Sequence, residues 1–261
     1  MEQKENRTCQ INERTERNMH NKKYTMTYSS ITDKGERVIN EDFLGMTVYN
    51  DKSYFVLCDG LGGHGNGEVA SQYVTDCMLE GIRHGFSLED TITCAQNALI
   101  DKQIRENKQN SMKTTLTCLE ISEKKARFAY VGDSRIYVFE KHKFKMRSQD
   151  HSVPQMLVAN GSISEKEIRQ HPDRSRLLRV MGDVWDSPKY QIVDAIKISP
   201  KTSFLLCSDG FWELIEEKSM EKMLKIATTP KDWLSMMAQE ICRNGKGSNM
   251  DNYSAIAVFL R

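Results

Sequence analysis

The sequence predicts a layered α+β fold in which antiparallel sheets are covered by helices. Short apolar or β-branched runs, separated by turn residues, arrive in groups as they do in antiparallel sheets. Amphipathic helical stretches come in pairs and do not alternate singly with strands, as a parallel βαβ array would require. A chain of 261 residues with 39% hydrophobic and 28% charged residues can also build one large core.

Six segments are predicted as strands because they are short, apolar or β-branched, and bounded by turn residues. In chain order they are residues 54–58, 114–121, 127–131, 136–139, 204–207 and 254–260.

Helices are predicted from apolar residues at helical spacing and from capping residues. One covers residues 69–82, and a second follows directly after the capping pattern that begins at Ser87. A helix near the end of the chain starts at Thr229-Pro230 and stops at Asn244-Gly245. The section of residues 150–182 is predicted to be helical and irregular, with a capping box at Ser164 to Glu167.

Composition sets the domain plan and excludes several classes of function. Residues 1–24 are almost entirely polar and are predicted to form a mobile tail, and residues 25–261 are predicted to form a single domain. The formal net charge of +1 gives no field to attract nucleic acid or an anionic membrane. No secretory signal or membrane span is found, and the seven cysteines contain no C-x-x-C pair, so we expect a cytoplasmic protein with reduced thiols.

Acidic residues recur at the ends of the predicted strands. Asp59, Asp133 and Asp209 each follow an apolar run, Glu41-Asp42 follows a Gly-containing turn, and Asp251 precedes the last strand. Gathered at one rim, these carboxylates would repel each other unless a hard cation such as Mg²⁺ or Mn²⁺ were bound between them. The alternative is ordinary turn chemistry, which explains any one Asp-Gly pair and leaves the metal site undecided on spacing alone.

These residues occur together in motifs that resemble those of the type 2C metal-dependent protein phosphatases, in the form found in bacteria. The resemblance covers residues 27–261. The motifs that carry it, in chain order, are Gly35-Glu36-Arg37-Val38-Ile39-Asn40-Glu41-Asp42, Asp59-Gly60-Leu61-Gly62-Gly63-His64, Gly132-Asp133-Ser134-Arg135, Ser208-Asp209-Gly210 and Asp251-Asn252. The resemblance implies two antiparallel β-sheets packed as a sandwich and flanked by helices on both sides, with a flap at about residues 150–182.

The same resemblance implies roles for individual residues. Asp59 would bridge two metal ions, Asp209 and Asp251 would hold the first, and Glu41 and the Gly60 carbonyl would hold the second. Asp133, with Asp209, would hold a weaker third ion. Arg37 would bind the phosphate, although an exposed arginine is its ordinary interpretation, and Asp42 would orient water.

Two departures from the family pattern stand out. Leu61 replaces a histidine that is a general acid in the eukaryotic branch, and His64 occupies a different place in the loop, so we interpret it as a loop residue. Lys113 stands before Thr114-Thr115 where a small residue is usual, which puts local packing and substrate access in question.

The implied function is hydrolysis of phosphoserine and phosphothreonine in proteins by a metal-activated water, with Mn²⁺ or Mg²⁺ as cofactor. It would reverse the action of a Ser/Thr kinase, on phosphoprotein substrates, as a monomer. One alternative is a dinucleotide-binding loop, since Gly60 to Gly65 has G-x-G-x-x-G spacing. Against it, Asp59 would place a negative charge beside the pyrophosphate. A catalytically silent scaffold is the other alternative, and the presence of every metal carboxylate argues against it.

Overall fold

The structure is a computed structural model that describes residues 10–15, 24–62 and 65–261, the first of these segments by its backbone alone. The predicted mobile tail of residues 1–24 falls mostly outside the described residues and there stays a prediction, but residues 10–15 within it form a strand that pairs with residues 27–32. The strands are β1 (Gln10–Thr15), β2 (Met26–Asp33), β3 (Asp42–Tyr49), β4 (Lys52–Asp59), β5 (Leu116–Ile121), β6 (Lys125–Val131), β7 (Arg135–Glu140), β8 (Lys143–Arg147), β9 (Gln191–Lys197), β10 (Thr202–Cys207) and β11 (Tyr253–Leu260).

The helices lie mostly in pairs, as the sequence predicted. They are α1 (Gly67–Arg83), α2 (Leu88–Glu106), α3 (Val153–Ala159), α4 (Asp209–Trp212), α5 (Glu217–Ile226) and α6 (Pro230–Asn244), with a 3₁₀ helix at Glu165–Gln170. The side chain of Ser87 caps α2, and the side chain of Thr229 caps α6 ahead of Pro230. The predicted capping box at Ser164 is present and opens the 3₁₀ helix.

Two antiparallel sheets form the centre of the molecule. One has six strands in the order β1-β2-β11-β10-β7-β8, and the other has five in the order β3-β4-β5-β6-β9. Strands β10 and β11 are buried along their whole length, because one face of each meets the other sheet and the opposite face meets helices. This explains why these strands are continuous apolar runs without alternation.

Three buried clusters correspond to the three interfaces between layers. Phe55, Phe128 and Phe204 belong to the cluster between the sheets. Trp212 and Trp233 lie in the cluster between the six-stranded sheet and α4 to α6, and α1 and α2 pack on the five-stranded sheet in the third. The predicted sandwich with helices on both sides is therefore confirmed.

The fold brings the acidic strand ends to one rim. Asp42 at the start of β3 lies opposite Asp59 at the end of β4. In the other sheet, the end of β10 pairs with the start of β11, through Cys207 and Ala255. Strands β4 and β6 run in the same direction, since each is antiparallel to β5. No helix among the described residues has the length and apolar character to cross a membrane.

Candidate active site

Asp59 stands at the centre of the acidic rim, and its backbone is fixed by two threonines. Its N–H donates to Thr115 Oγ1 at 3.0 Å, and its carbonyl accepts from Thr114 Oγ1 and Thr115 N, each at 2.8 Å. Removal from water and the nearby carboxylates of Asp42, Asp209, Asp133 and Asp251 raise the pKa of Asp59 well above its usual range. The backbone bonds thus hold the carboxylate in a place where its own charge is unfavourable.

Asp42 is a buried carboxylate with one oxygen unused. Its Oδ2 accepts a hydrogen bond from the Ser208 hydroxyl at 2.9 Å, which ties β3 to the turn after β10. Its Oδ1 is buried and has no hydrogen-bond partner among the described residues. Burial raises the pKa of Asp42 to about 7. A buried acceptor without a donor costs stability, so this oxygen indicates a place where a further group binds.

Asp209 and Asp133 form the second part of the rim. Asp209 opens α4 directly after β10, and Asp133 follows Gly132 after β6. Burial and the neighbouring carboxylates, first Asp133 and then Glu213, raise the pKa of Asp209 well above its usual range. Burial, with Asp150 as the largest charged contributor, raises the pKa of Asp133 to about 7. The two carboxylates therefore disfavour each other's ionisation.

Glu41 lies under a loop that passes close to its carboxylate and that requires glycine at position 60. A Cβ added at Gly62 or Gly67 would meet a Glu41 carboxylate oxygen at 2.5 Å. A Cβ at Gly60 would meet the Gly67 carbonyl oxygen at 2.3 Å, and the Gly60 N–H donates to the Glu41 carbonyl at 3.0 Å. Burial, Glu68 and Asp251 raise the pKa of Glu41. The glycines after β4 thus let the backbone close over this carboxylate.

Arg37 and Asp251 lie together at the open side of the rim. Arg37 Nη2 donates to Asp251 Oδ2 at 2.8 Å, and both side chains are about half exposed, at 47% and 45%. The turn that carries Arg37 is held at Gly35, where φ is +59° and a Cβ would lie 2.2 Å from the Asp251 carbonyl oxygen. The predicted phosphate-binding residue is therefore beside a predicted metal ligand.

The predicted site residues are thus brought to one region, but the carboxylates are not closed around a point. Within residues 24–62 and 65–261, no three His, Cys, Asp or Glu side chains stand in a ready arrangement to hold a metal ion. The donor set still fits hard divalent ions, because it consists of carboxylate and carbonyl oxygens. The unpartnered oxygen of Asp42 and the repulsion between carboxylates that raises the pKa of Asp59 both fit a site that binds cations.

Asn252 is a functional residue to which the sequence assigned no role. Its Oδ1 accepts from Glu41 N at 2.8 Å, and its Nδ2 donates to the carbonyls of Lys34 and Ile39, each at 2.9 Å. One buried amide thus fixes the turn that carries Arg37 and Glu41 against the start of β11. In the sequence, only the position of Asn252 directly after Asp251 indicated that it belongs to the site.

Asn252→Ala is expected to lower the free energy of unfolding by roughly 2 to 4 kcal/mol, because three backbone groups lose their partner. Displacement of Arg37 and Glu41 should also lower kcat/KM by about 100-fold. Denaturant unfolding and phosphopeptide kinetics measure the two effects. Asn97→Ala, at an exposed position of α2, is the matched control and should change neither. Equal activity of the Asn252 variant and wild type would contradict this role.

The departures from the family pattern have local explanations. Lys113 Nζ forms an ion pair with Asp183 at 2.6 Å, and the Lys113 carbonyl accepts from Leu61 N at 3.0 Å. Lys113 therefore joins the loop after β4 to the end of the flap. His64 lies outside the described residues, so its interpretation as a loop residue stays a prediction. Burial raises the pKa of the Cys58 thiol to about 12, and that of Cys207 is raised as well, which agrees with their interpretation as buried apolar residues.

Comparisons with known proteins agree with this geometry. A family model described as protein phosphatase 2C matches residues 34–245. The chain is 32% identical over 212 residues to the serine/threonine phosphatase Stp of Listeria monocytogenes serotype 4b (strain F2365), covering 76% of this chain and 82% of that protein. The crystal structure of the serine/threonine phosphatase Stp1 from Staphylococcus aureus superposes with a TM-score of 0.82 at 28% identity, covering 94% of this chain and 99% of that one. The catalytic domain of the phosphatase PstP, in complex with 2 manganese ions, shares the fold with a TM-score of 0.75 at 22% identity, covering 90% of this chain and 98% of that one.

Proposed function

The chain belongs to the protein phosphatase 2C family and is a protein serine/threonine phosphatase that acts on phosphoproteins, and from this premise we propose which of its residues carry the reaction. The observation that carries the proposal is the gathering of five acidic positions at one rim, around a buried Asp42 oxygen without a partner. A cluster of carboxylates at this density stays ionised at neutral pH only where cations offset the charge, and oxygen donors favour Mn²⁺ or Mg²⁺.

We assign the ligands by the resemblance of the sequence motifs to those of the family. Asp59 would be shared by two ions. Asp209 and Asp251 would hold the first ion, and Glu41 with the Gly60 carbonyl would hold the second. Asp133 and Asp209 would hold a weaker third ion. Bound there, the ions would lower the pKa of a bound water molecule and would offset the negative charge of the phosphoryl group.

The remaining roles fall to Arg37 and Asp42. Arg37 would bind the phosphoryl oxygens, since its planar guanidinium is half exposed and carries several N–H donors beside Asp251. Asp42 orients the attacking water through its unused Oδ1. Leu61 has no proton to give, so a water molecule would protonate the serine or threonine oxygen as it leaves the phosphorus.

Arg37→Ala is expected to lower kcat/KM for a phosphothreonine peptide by about 10- to 100-fold, mostly through KM, because the bound phosphoryl group loses two charge-assisted donors. Its thermal stability should stay close to that of wild type, since the side chain is 47% exposed. Steady-state kinetics and a thermal scan check both. Arg83→Ala, on α1, serves as a control for loss of an arginine. An unchanged KM would remove Arg37 from the phosphate site.

The assignment as a whole is tested with the purified protein on a phosphothreonine peptide and a phosphotyrosine peptide, with Mn²⁺, with Mg²⁺ and with EDTA. Release of phosphate that needs the metal and favours phosphothreonine is the expected result. Release that persists in EDTA would contradict the metal site, and no release at any metal concentration would favour the silent scaffold.

Finer expectations rest on the same premise. Residues 25–261 act as one catalytic domain, the protein works in the cytoplasm as a monomer, and its substrates are the products of a Ser/Thr kinase. The low net charge and the helices that cover both sheets support a monomer that binds neither membrane nor nucleic acid. Light scattering at working concentration tests the oligomeric state, and a dimer would contradict it.

A further inference from the structure

The flap of residues 150–182 contains none of the residues assigned above, yet arginines fix it to the active site. Arg169, in the 3₁₀ helix, makes three hydrogen bonds to the segment that follows Asp209. Its Nε donates to the Trp212 carbonyl at 3.1 Å, and its Nη2 donates to the Ile215 carbonyl at 3.1 Å and to Glu217 Oε1 at 2.8 Å. The side chain is only 16% exposed. A single guanidinium thus binds two backbone carbonyls and one carboxylate.

Arg174 makes a second contact to the same segment. Its Nε donates to Glu213 Oε2 at 3.0 Å. Glu213 lies one helical turn after Asp209, and its N–H donates to the Asp209 carbonyl at 2.9 Å. The flap therefore reaches the turn of a predicted metal ligand through one ion pair. We call Arg169 and Arg174, with residues 212–217, the flap clamp.

Trp212 links the flap clamp to the other side of the acidic rim. Its indole N–H donates to the Asp133 carbonyl at 3.0 Å. The Arg135 guanidinium lies 3.3 Å from the centre of the Trp212 ring and binds Asp150, the first residue of the flap, through two bonds of 2.9 and 2.6 Å. Both the start and the middle of the flap thus converge on Trp212.

The contacts between the flap and Trp212 are buried. Arg135 and Asp150 each have 1% of the side chain exposed, and Trp212 is 1% exposed. Buried, hydrogen-bonded charge pairs permit few alternative geometries, because breaking one leaves an uncompensated charge. The segment that the flap contacts follows Asp209 in the chain, so these contacts hold the flap beside the acidic rim.

We propose that Arg169 and Arg174 are positioning residues that hold the flap against residues 212–217 and so define the surface a phosphoprotein meets at the acidic rim. The proposal rests on the function given above, and it extends that function to the selection of protein substrates. Small phosphate esters, which reach only the rim, do not depend on the clamp.

The test compares wild type with Arg169→Gln and Arg174→Gln, and uses Lys166→Gln as the matched control, since Lys166 is an exposed cation in the same 3₁₀ helix. Two readouts are measured on the full chain. Hydrogen exchange of amides in residues 164–176 reports the flap directly and does not require activity. Kinetics with a phosphothreonine peptide and with p-nitrophenyl phosphate, in Mn²⁺, report substrate selection.

Arg169→Gln is expected to increase exchange in the flap by about tenfold and to raise KM for the peptide about fivefold, with a change of less than about twofold for p-nitrophenyl phosphate. Arg174→Gln should act in the same direction and more weakly, because that side chain is 44% exposed and the variant keeps its fold. Lys166→Gln should match wild type.

Unchanged exchange in both arginine variants would overturn the proposal, and so would faster exchange with an unchanged KM for the peptide. A wild-type protein without phosphatase activity would instead contradict the proposed function, and the exchange measurement would still decide whether the clamp holds the flap.

Discussion

Asp209→Asn is expected to lower kcat on a phosphothreonine peptide by about 1000-fold, equivalent to about 4 kcal/mol of transition-state stabilisation. The carboxylate lies at the meeting point of two proposed ion sites, and an amide oxygen carries no negative charge to hold either. The fold should survive, because Asn has nearly the same shape.

The same substitution is expected to raise the melting temperature of the protein in EDTA. Burial and the carboxylates of Asp133 and Glu213 raise the pKa of Asp209 well above its usual range, so its ionised form is unfavourable in the folded protein. Asn removes that charge and the repulsion with it.

Activity assays in Mn²⁺ and thermal scans in EDTA measure the two effects on the same preparations. Asp194→Asn is the matched control, because that side chain is 90% exposed on the edge strand β9. Near wild-type turnover in the Asp209 variant would remove Asp209 from the metal site. A lower melting temperature in EDTA would mean that the carboxylate stabilises the fold in its own right.

The layered fold was predictable from the sequence because its central strands have a strong local pattern. The apolar run that forms β10 is buried on both faces, and the capping residues Ser87 and Thr229 mark helix starts in the structure as they do in the sequence. Strands β1, β2, β3, β8 and β9 were not predicted. Their apolar residues are interrupted by polar ones, as in β9, where every residue is exposed or half-buried. Pairing with distant strands, more than local composition, decides the structure of such segments.

The acidic site was predictable only in part. The carboxylates could be named because each follows or precedes a strand, and the antiparallel order of the sheets then places those ends at one rim. Asn252 and Ser208 could not be assigned, since their importance lies in contacts with residues far away in sequence, such as Glu41 and Asp42. The ion pair between Arg37 and Asp251, 214 positions apart, has no local sign either.

The ion-free protein is expected to lose stability as the pH rises from about 4 to about 7, in contrast to the usual behaviour of paired carboxylates. Burial raises the pKa of Asp42 and of Asp133 to about 7, from an ordinary value of 3.8. In this window the folded state holds protons that the unfolded state has released. Stability from these groups is therefore complete below the unfolded pKa and is lost as the pH passes through the folded pKa.

Mg²⁺ is expected to reverse this trend, because the ion binds the ionised carboxylates and displaces their protons. The increase in melting temperature on adding Mg²⁺ should therefore be larger at about pH 8 than at about pH 5.5. Thermal scans across this range, with EDTA and with Mg²⁺, measure both curves.

The Asp133→Asn variant distinguishes the contribution of these carboxylates to the pH dependence of stability from that of the other titrating groups. Removing one group with a raised pKa should make the ion-free curve less steep between about pH 4 and pH 7, while Asp194→Asn should leave the slope unchanged. Ion-free stability that rises with pH through this window would show that Asp42 and Asp133 are ionised in the folded protein without a cation. In that case the acidic rim would not need metal ions to offset its charge, and the argument for a metal site from unfavourable ionisation would fail.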